Sequence, residues 1–306
     1  MIYHKQGAPI VFFSCIKSDH KKNRVMKRTI HTDEIKIAVA EIIESISFTA
    51  PDEIKKIFQK MKSNESGVIG RETLQILTEN IEIAEKEKIP LCQDCGSAII
   101  FLNIGQGVLL EGEYLYDAIN ISVANAYNKL YLRKSIVSDP LRRKNTGSNT
   151  PAFIHTDIVP GDSVAIDVML KGGGSENMSV IKMFLPTDSE DKIIDFIEEE
   201  VISAGPNPCP PIFLGIGIGG TADTAMLNSK KALLGNPMEH NPDPFYRDLE
   251  IKIFNRINKS GIGPMGFGGD NSAAGVYIKE APAHIASLPV ALNMNCHSLR
   301  KGRIVL

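Results

Sequence analysis

The chain has 306 residues, 43% hydrophobic and 23% charged, and its acidic and basic side chains nearly cancel at a formal net charge of −2. That length suffices for a substantial core, as one large domain or two packed subdomains. The interspersed charge offers no electrostatic footprint for nucleic acid or a membrane surface, and no apolar run approaches the roughly 18 residues that a spanning helix needs.

Residues 9–16 form a short apolar stretch, followed by a basic run over 17–28. A secretory signal has the opposite order and a small-residue cleavage site. Residues 1–28 are therefore expected to be a loose extension, with Met26 an alternative start, and the chain is expected to be cytoplasmic. Residues 29–306 are the expected working domain. Ile35, Val39, Ile42 and Ile46 recur at helical spacing behind Thr32, the N-cap candidate, with Asp33 and Glu34 in the first turn. Pro51 opens a second helix that turns Ile54, Ile57, Phe58 and Met61 inward, and a third runs over about 71–86.

Beyond Pro90 the pattern changes. Short apolar runs at 98–104, 164–170, 179–185, 212–218, 275–279 and 288–292 predict largely buried strands. Helical patterns at 114–132, 188–203, 222–234 and 244–258 lie between some of them. The expected class is α/β with mixed α+β layers: a helical N-terminal portion followed by a mixed-sheet portion. Strand order is not fixed by these patterns.

Glycine and proline concentrate at 90–96, 144–151, 171–177, 205–220 and 261–272, the kind of loop that carries chemistry on a rigid scaffold. Five cysteines, an odd number without a secretory signal, argue against a disulfide framework and leave metal binding or reactive thiols. Cys92, Cys209 and Cys296 are flanked by Pro, Gly, Asn and Asp at predicted element ends. A structural cysteine more often hides in an apolar element, so local context leaves ligation and burial equally open. As ligands, three soft thiolates from distant segments suit an iron–sulfur cluster better than a structural zinc site, which four ligands normally close. Three ligands on four irons leave one iron open as a Lewis acid. Cys95 forms a Cys-x-x-Cys with Cys92, but neither a thioredoxin-like context nor a second Cys or His pair accompanies it, and it reads as an accidental neighbour. Cys15, in the extension, reads as incidental.

Gly215 to Gly220 fits G-x-G-x-x-G after an apolar run, a weak dinucleotide signal by itself. No strand with an acidic end follows about 20 residues on; Glu239 stands in a Pro- and Asn-rich loop. Lys171-Gly-Gly-Gly-Ser lacks the P-loop spacing, yet its glycines can present backbone N–H groups to an anion.

Together the segments resemble the α, or N-terminal, part of class I, iron–sulfur-dependent fumarate hydratases. The resemblance is carried by Leu-Cys-Gln-Asp at 91–94, Arg-Lys-Asn-Thr-Gly-Ser-Asn-Thr-Pro-Ala at 143–152 and Lys-Gly-Gly-Gly-Ser-Glu-Asn at 171–177. Asn-Pro-Cys-Pro-Pro at 207–211 runs into Gly-Ile-Gly-Ile-Gly-Gly-Thr at 215–221. Gly-Ile-Gly-Pro-Met-Gly at 261–266 and His-Ile-Ala-Ser-Leu-Pro-Val-Ala at 284–291 complete the set, from about residue 30 to the end. The α subunits of tartrate dehydratases are related and share the cysteine layout. One departure is Cys95, where the fumarate hydratases usually have Thr.

The resemblance implies reversible hydration of fumarate to (S)-malate on a 4Fe–4S cluster held by Cys92, Cys209 and Cys296. It places Gln93 and Asp94 at the substrate, with Asp94 moving a proton at the substrate hydroxyl, and His284 close by. Arg133 is the expected carboxylate clamp, with Arg142 and Arg143 as neighbours in the sequence, and Gly173 is expected to donate its amide to the other carboxylate. Single-chain members carry a second domain with further cations and a Thr base. Here a separate β subunit is expected to supply them, in an α2β2 assembly. Rival readings are a tartrate-type dehydratase, a cluster-carrying electron-transfer subunit and a dinucleotide-binding oxidoreductase.

Overall fold

The computed structural model describes residues 27–306. Of the expected extension only Lys27 and Arg28 fall among them, and Cys15 lies outside. Strand β1 (Arg28–His31) runs into helix α1 (Thr32–Phe48). The cap is His31 rather than Thr32: its ring nitrogen accepts from Asp33 N at 3.2 Å, and Glu34 accepts from His31 N at 2.9 Å. A reciprocal capping box of this kind satisfies N-terminal amides that no helical carbonyl can reach. Helices α2 (Asp52–Asn64) and α3 (Val68–Glu87) follow, burying Ile54, Phe58 and Met61 and then Leu74, Leu77 and Ile81.

The mixed portion then runs β2 (Ser97–Gly105), β3 (Val108–Glu111), α4 (Leu115–Lys129), β4 (Phe153–Val159) and β5 (Val164–Lys171). A single turn, α5 (Gly173–Glu176), leads to β6 (Val180–Phe184), α6 (Glu190–Ala204), β7 (Ile212–Gly219) and α7 (Ala222–Ala232). Last come α8 (Pro244–Asn258), β8 (Ala273–Ala281), β9 (Leu288–Asn295) and β10 (Lys301–Val305). The α/β class and the helical N-terminal portion stand as expected. Strands β1, β3, β4 and β10 were not predicted. Their burial is patchy: β4, at a sheet edge, reads Phe-Ile-His-Thr-Asp-Ile-Val and is nowhere fully buried, so it carries no apolar run for a sequence to show.

Two four-stranded sheets result, ordered β10-β5-β2-β4 and β6-β9-β7-β8. Helices α1 and α4 cover one face of the first, around Ile100, Leu102, Val123 and Tyr127. Helices α6 and α8 cover the second, around Ile197, Ile216 and Ile253. A third core joins Ile99, Phe101 and Met169 of the first sheet to Phe213 and Tyr277 of the second through α2 and α3. The α2–α3 pair thus packs across both sheets and fixes one against the other.

Register shows which strand ends meet. Ser97 pairs with Lys171, Ile99 with Phe153 and Met169 with Lys301. The starts of β2, β4 and β10 therefore lie together with the end of β5. In the second sheet Phe213 pairs with Asn295, so β7 starts where β9 ends. Residues 296–300 alone link β9 to β10, which brings these two groups of strand ends face to face.

Candidate active site

Each of the three candidate ligands stands at one of those strand ends: Cys92 ahead of β2, Cys209 ahead of β7, and Cys296 just after β9. All three are partly buried, whereas Cys95 is buried. They share one electrostatic neighbourhood. Burial pushes the Cys92 thiol up, Arg300 opposes that, and Cys296 adds to it. Burial also raises Cys209, reinforced by Cys296, Cys92 and Asp94. Fold topology has therefore gathered three segments more than 80 residues apart in the sequence.

The backbone holds these segments in place. Cys209 has φ 55, a conformation that L residues rarely adopt. Its carbonyl accepts from His297 N at 3.2 Å, which ties the second candidate ligand to the residue after the third. Met265 N donates to Pro210 O at 2.7 Å, so the glycine-rich 261–272 loop braces the Cys209 segment. That loop is in turn held by Glu65, whose carboxylate accepts from the amides of Gly67, Asp270 and Asn271 and from the Asn271 side chain.

Asp94 is anchored through both oxygens. Oδ1 accepts from Gly96 N at 3.0 Å and Oδ2 from Gly173 N at 2.7 Å. The Gly173 amide, expected to face a substrate carboxylate, is thus engaged by Asp94 and orients it. Lys171 fixes the same turn: its buried ammonium donates to Ser175 Oγ at 2.8 Å and to Met294 O, two residues before Cys296. Burial lowers its pKa to about 8, against the pull of Glu176 at 3.6 Å.

Cys95 is no accidental neighbour. Its sulfur accepts from Arg133 N at 3.1 Å, and it packs in the first core. Asn149, fully buried, accepts from Ser135 N at 2.6 Å and donates to Gly96 O at 3.1 Å. Tyr127 Oη donates to the carbonyls of Cys95 and Gly96. The arm over residues 131–149 is therefore pinned to the ligand loop at Arg133, while the Arg133 side chain stays exposed, as do Gln93, Arg142 and Arg143.

His284 is placed elsewhere. It lies before β9, at the opposite end of the strand from Cys296, and eight strand residues at ~3.3 Å each put it about 25 Å away. Its ring accepts from Ala286 N at 3.1 Å. This chain does not bring His284 to the cysteines.

The G-x-G-x-x-G segment is strand, not phosphate loop. A Cβ on Gly215 would sit 2.0 Å from Ser229 O, and one on Gly217 would sit 1.9 Å from Ala225 O. These glycines let α7 lie directly on β7. Sequence reasoning missed the roles of Asn149, Glu65 and Arg300: Asn149 stands within the 143–152 stretch, which does not show what its side chain binds, and Glu65 and Arg300 lie outside the quoted motifs; each is a polar residue buried by tertiary contacts. A cleft of about 490 Å3 between α2, α8 and β8 is lined by residues that include Lys56, Met61, Phe254 and Tyr277, and it contains none of the predicted site residues.

Among the described residues no three His, Cys, Asp or Glu side chains close around a single metal ion. A family model described as fumarate hydratase (Fumerase) matches residues 36–305. The chain belongs to this family. It is 38% identical over 276 residues to a protein of Methanocaldococcus jannaschii named "Putative L(+)-tartrate dehydratase subunit alpha", covering 88% of this chain and 96% of that protein. Proteins named "L(+)-tartrate dehydratase subunit alpha" from Escherichia coli O157:H7 and Escherichia coli K12 are 31% and 30% identical, each over 88% of this chain and 89% of theirs. No helix among the described residues is long and apolar enough to cross a membrane.

Proposed function

We propose that this chain is the α subunit of a hydro-lyase acting on a four-carbon dicarboxylate, interconverting fumarate and (S)-malate with a 4Fe–4S cluster. The observation that carries the reading is the convergence of Cys92, Cys209 and Cys296 at the facing ends of two sheets. The donor set fits the group by its chemistry: three soft thiolates, with a buried guanidinium beside them whose Nε and Nη2 have no partner. When bound, such a cluster supplies an open iron that polarises hydroxyl and carboxylate oxygens.

The chain's own residues do the rest. Asp94, fixed by two backbone amides, holds a carboxylate ready to exchange a proton at the substrate hydroxyl. Gln93, exposed beside it, offers an amide to a substrate oxygen. Arg133 presents a planar fork to a carboxylate, at a position set by the hydrogen bond its backbone N–H donates to Cys95 Sγ. His284 enters the site only as another chain or copy carries it there. A β subunit completes the site over the exposed Gln93–Arg133 side, in an α2β2 assembly, and the "subunit alpha" names of the relatives support a second chain.

A second reading, dehydration of L(+)-tartrate, is favoured by the names of those same relatives. The test is anaerobic purification of the chain with and without a co-expressed second chain, followed by assays on malate, fumarate and L(+)-tartrate. Malate–fumarate turnover that needs both chains and is lost in air supports the proposal. Turnover of tartrate alone replaces the substrate, and an active iron-free preparation overturns the cluster chemistry.

A further inference from the structure

Arg300 ends the 296–300 link between the sheets and is only 2% exposed. Its backbone is fixed, since its carbonyl accepts from Leu170 N at 2.9 Å. Its side chain is not matched: Nε and Nη2 are buried without a hydrogen-bond partner. The guanidinium stands behind Gly172, where an added Cβ would lie 3.3 Å from Asp94 Oδ2 and 3.9 Å from Arg300 Nη2. It is close enough to Cys92 for its charge to favour the thiolate. A buried cation with idle donors is costly unless an anion meets it, and at 2% exposure Arg300 is out of reach of a substrate arriving on the exposed side where Gln93 and Arg133 stand.

We infer that Arg300 is the counter-cation of the cluster, its unpartnered N–H groups held for cluster and thiolate sulfurs so that it retains the cluster and sets its reduction potential. This rests on the cluster reading above. Charge and hydrogen bonds to sulfur are the protein's main levers on such a potential, and a positive charge favours the more negative, reduced state. Arg300 is thus a positioning and tuning residue, and it explains why a fold would keep an orphaned guanidinium at its centre.

The test uses the full chain, wild type, Arg300→Met and Arg300→Lys, prepared anaerobically. Without cluster, Arg300→Met should melt at or above the wild-type temperature, because the orphaned charge is gone. With cluster, it should lose iron to a ferrous chelator roughly 10- to 100-fold faster and show a more negative midpoint potential by EPR-monitored titration. Arg300→Lys, which keeps the charge, should restore most of the potential but not the retention. Opposite signs in the two forms are what a purely structural arginine would not give. Wild-type potential and iron loss in Arg300→Met would overturn the inference, as would an apo variant that melts lower or fails to fold. A wild-type chain that takes up no iron and sulfide would instead refute the cluster reading itself.

Discussion

Removing the Glu65 carboxylate should unlock the Cys209 side of the site from a distance. Glu65 is 4% exposed, in the turn between α2 and α3. Oε1 accepts from Gly67 N and Asp270 N at 3.0 Å each; Oε2 accepts from Asn271 N at 3.2 Å and Asn271 Nδ2 at 2.7 Å. Glu65→Ala leaves four donors without that acceptor. At about 1 kcal/mol each, after the loop relaxes toward water, the loss is about 4 kcal/mol. Glu65→Gln keeps one acceptor but turns an amide N–H2 toward the Asn271 donors, for a loss of about 2–3 kcal/mol. Urea unfolding of the cluster-free chain measures both. Because the same loop bonds Pro210 through Met265, amide exchange should quicken at Met265, Asp270 and Asn271, and the loaded chain should release iron sooner. Variants within about 0.5 kcal/mol of wild type, with Asp270 and Asn271 still protected, would refute the role assigned to this carboxylate.

Gly217→Ala places a methyl group where Ala225 O already sits, at 1.9 Å; a loss of about 3 kcal/mol or more is expected in urea melts, and an unaffected protein would show that α7 does not lie on β7 this closely. Cys209→Ser should abolish iron uptake, whereas Cys95→Thr keeps an acceptor for Arg133 N and should leave iron content and activity largely intact; iron analysis of both decides. Burial lowers Lys171 and Lys301 to about 8 from 10.5. The folded state then binds fewer protons than the unfolded one above pH 8, so the penalty is complete below pH 8 and relieved as pH rises. Cluster-free stability should climb between about pH 8 and 9, before the raised thiols of Cys92 and Cys209 act in the opposite sense. Lys301→Met should remove part of that climb, and a flat profile in the parent chain would contradict both shifts.

The apolar strands and amphipathic helices could be read from the sequence because each buries a face of its own. Helix α8 spans the predicted residues 244–258, with Asp243 accepting from Phe245 N and Pro244 in its first turn. Strand β10 could not be read. It reads Lys-Gly-Arg-Ile-Val and is only partly buried, and it forms because β5 offers an edge. The site divides the same way. Cysteines flanked by turn residues announce themselves, but Asn149 is a hub only because its arm folds back on Ser135 and the chain returns it to Gly96, 53 residues earlier. His284 shows the limit in the other direction: a motif fixed its neighbours, not which end of the sheet they occupy.

The two sides of the site differ in rigidity, and the difference bears on function. On the cysteine side every candidate group hangs from backbone at a strand end: Asp94 on two amides, Cys209 on the hydrogen bond its carbonyl accepts from His297 N, and the glycine turn on Lys171. Such groups need little reordering to act, which is where electrostatic catalysis gains most. On the open side Arg133 is fixed only at its amide, and its side chain, like Gln93 and the 93% exposed Tyr131, is in contact with solvent. A long exposed arginine loses rotamer freedom on gripping a carboxylate, at a cost of up to about 2 kcal/mol. A second chain closing over that side would meet this cost before substrate arrives. On the proposed reading, the α chain alone can then be fully folded and hold a cluster, yet still bind dicarboxylate weakly.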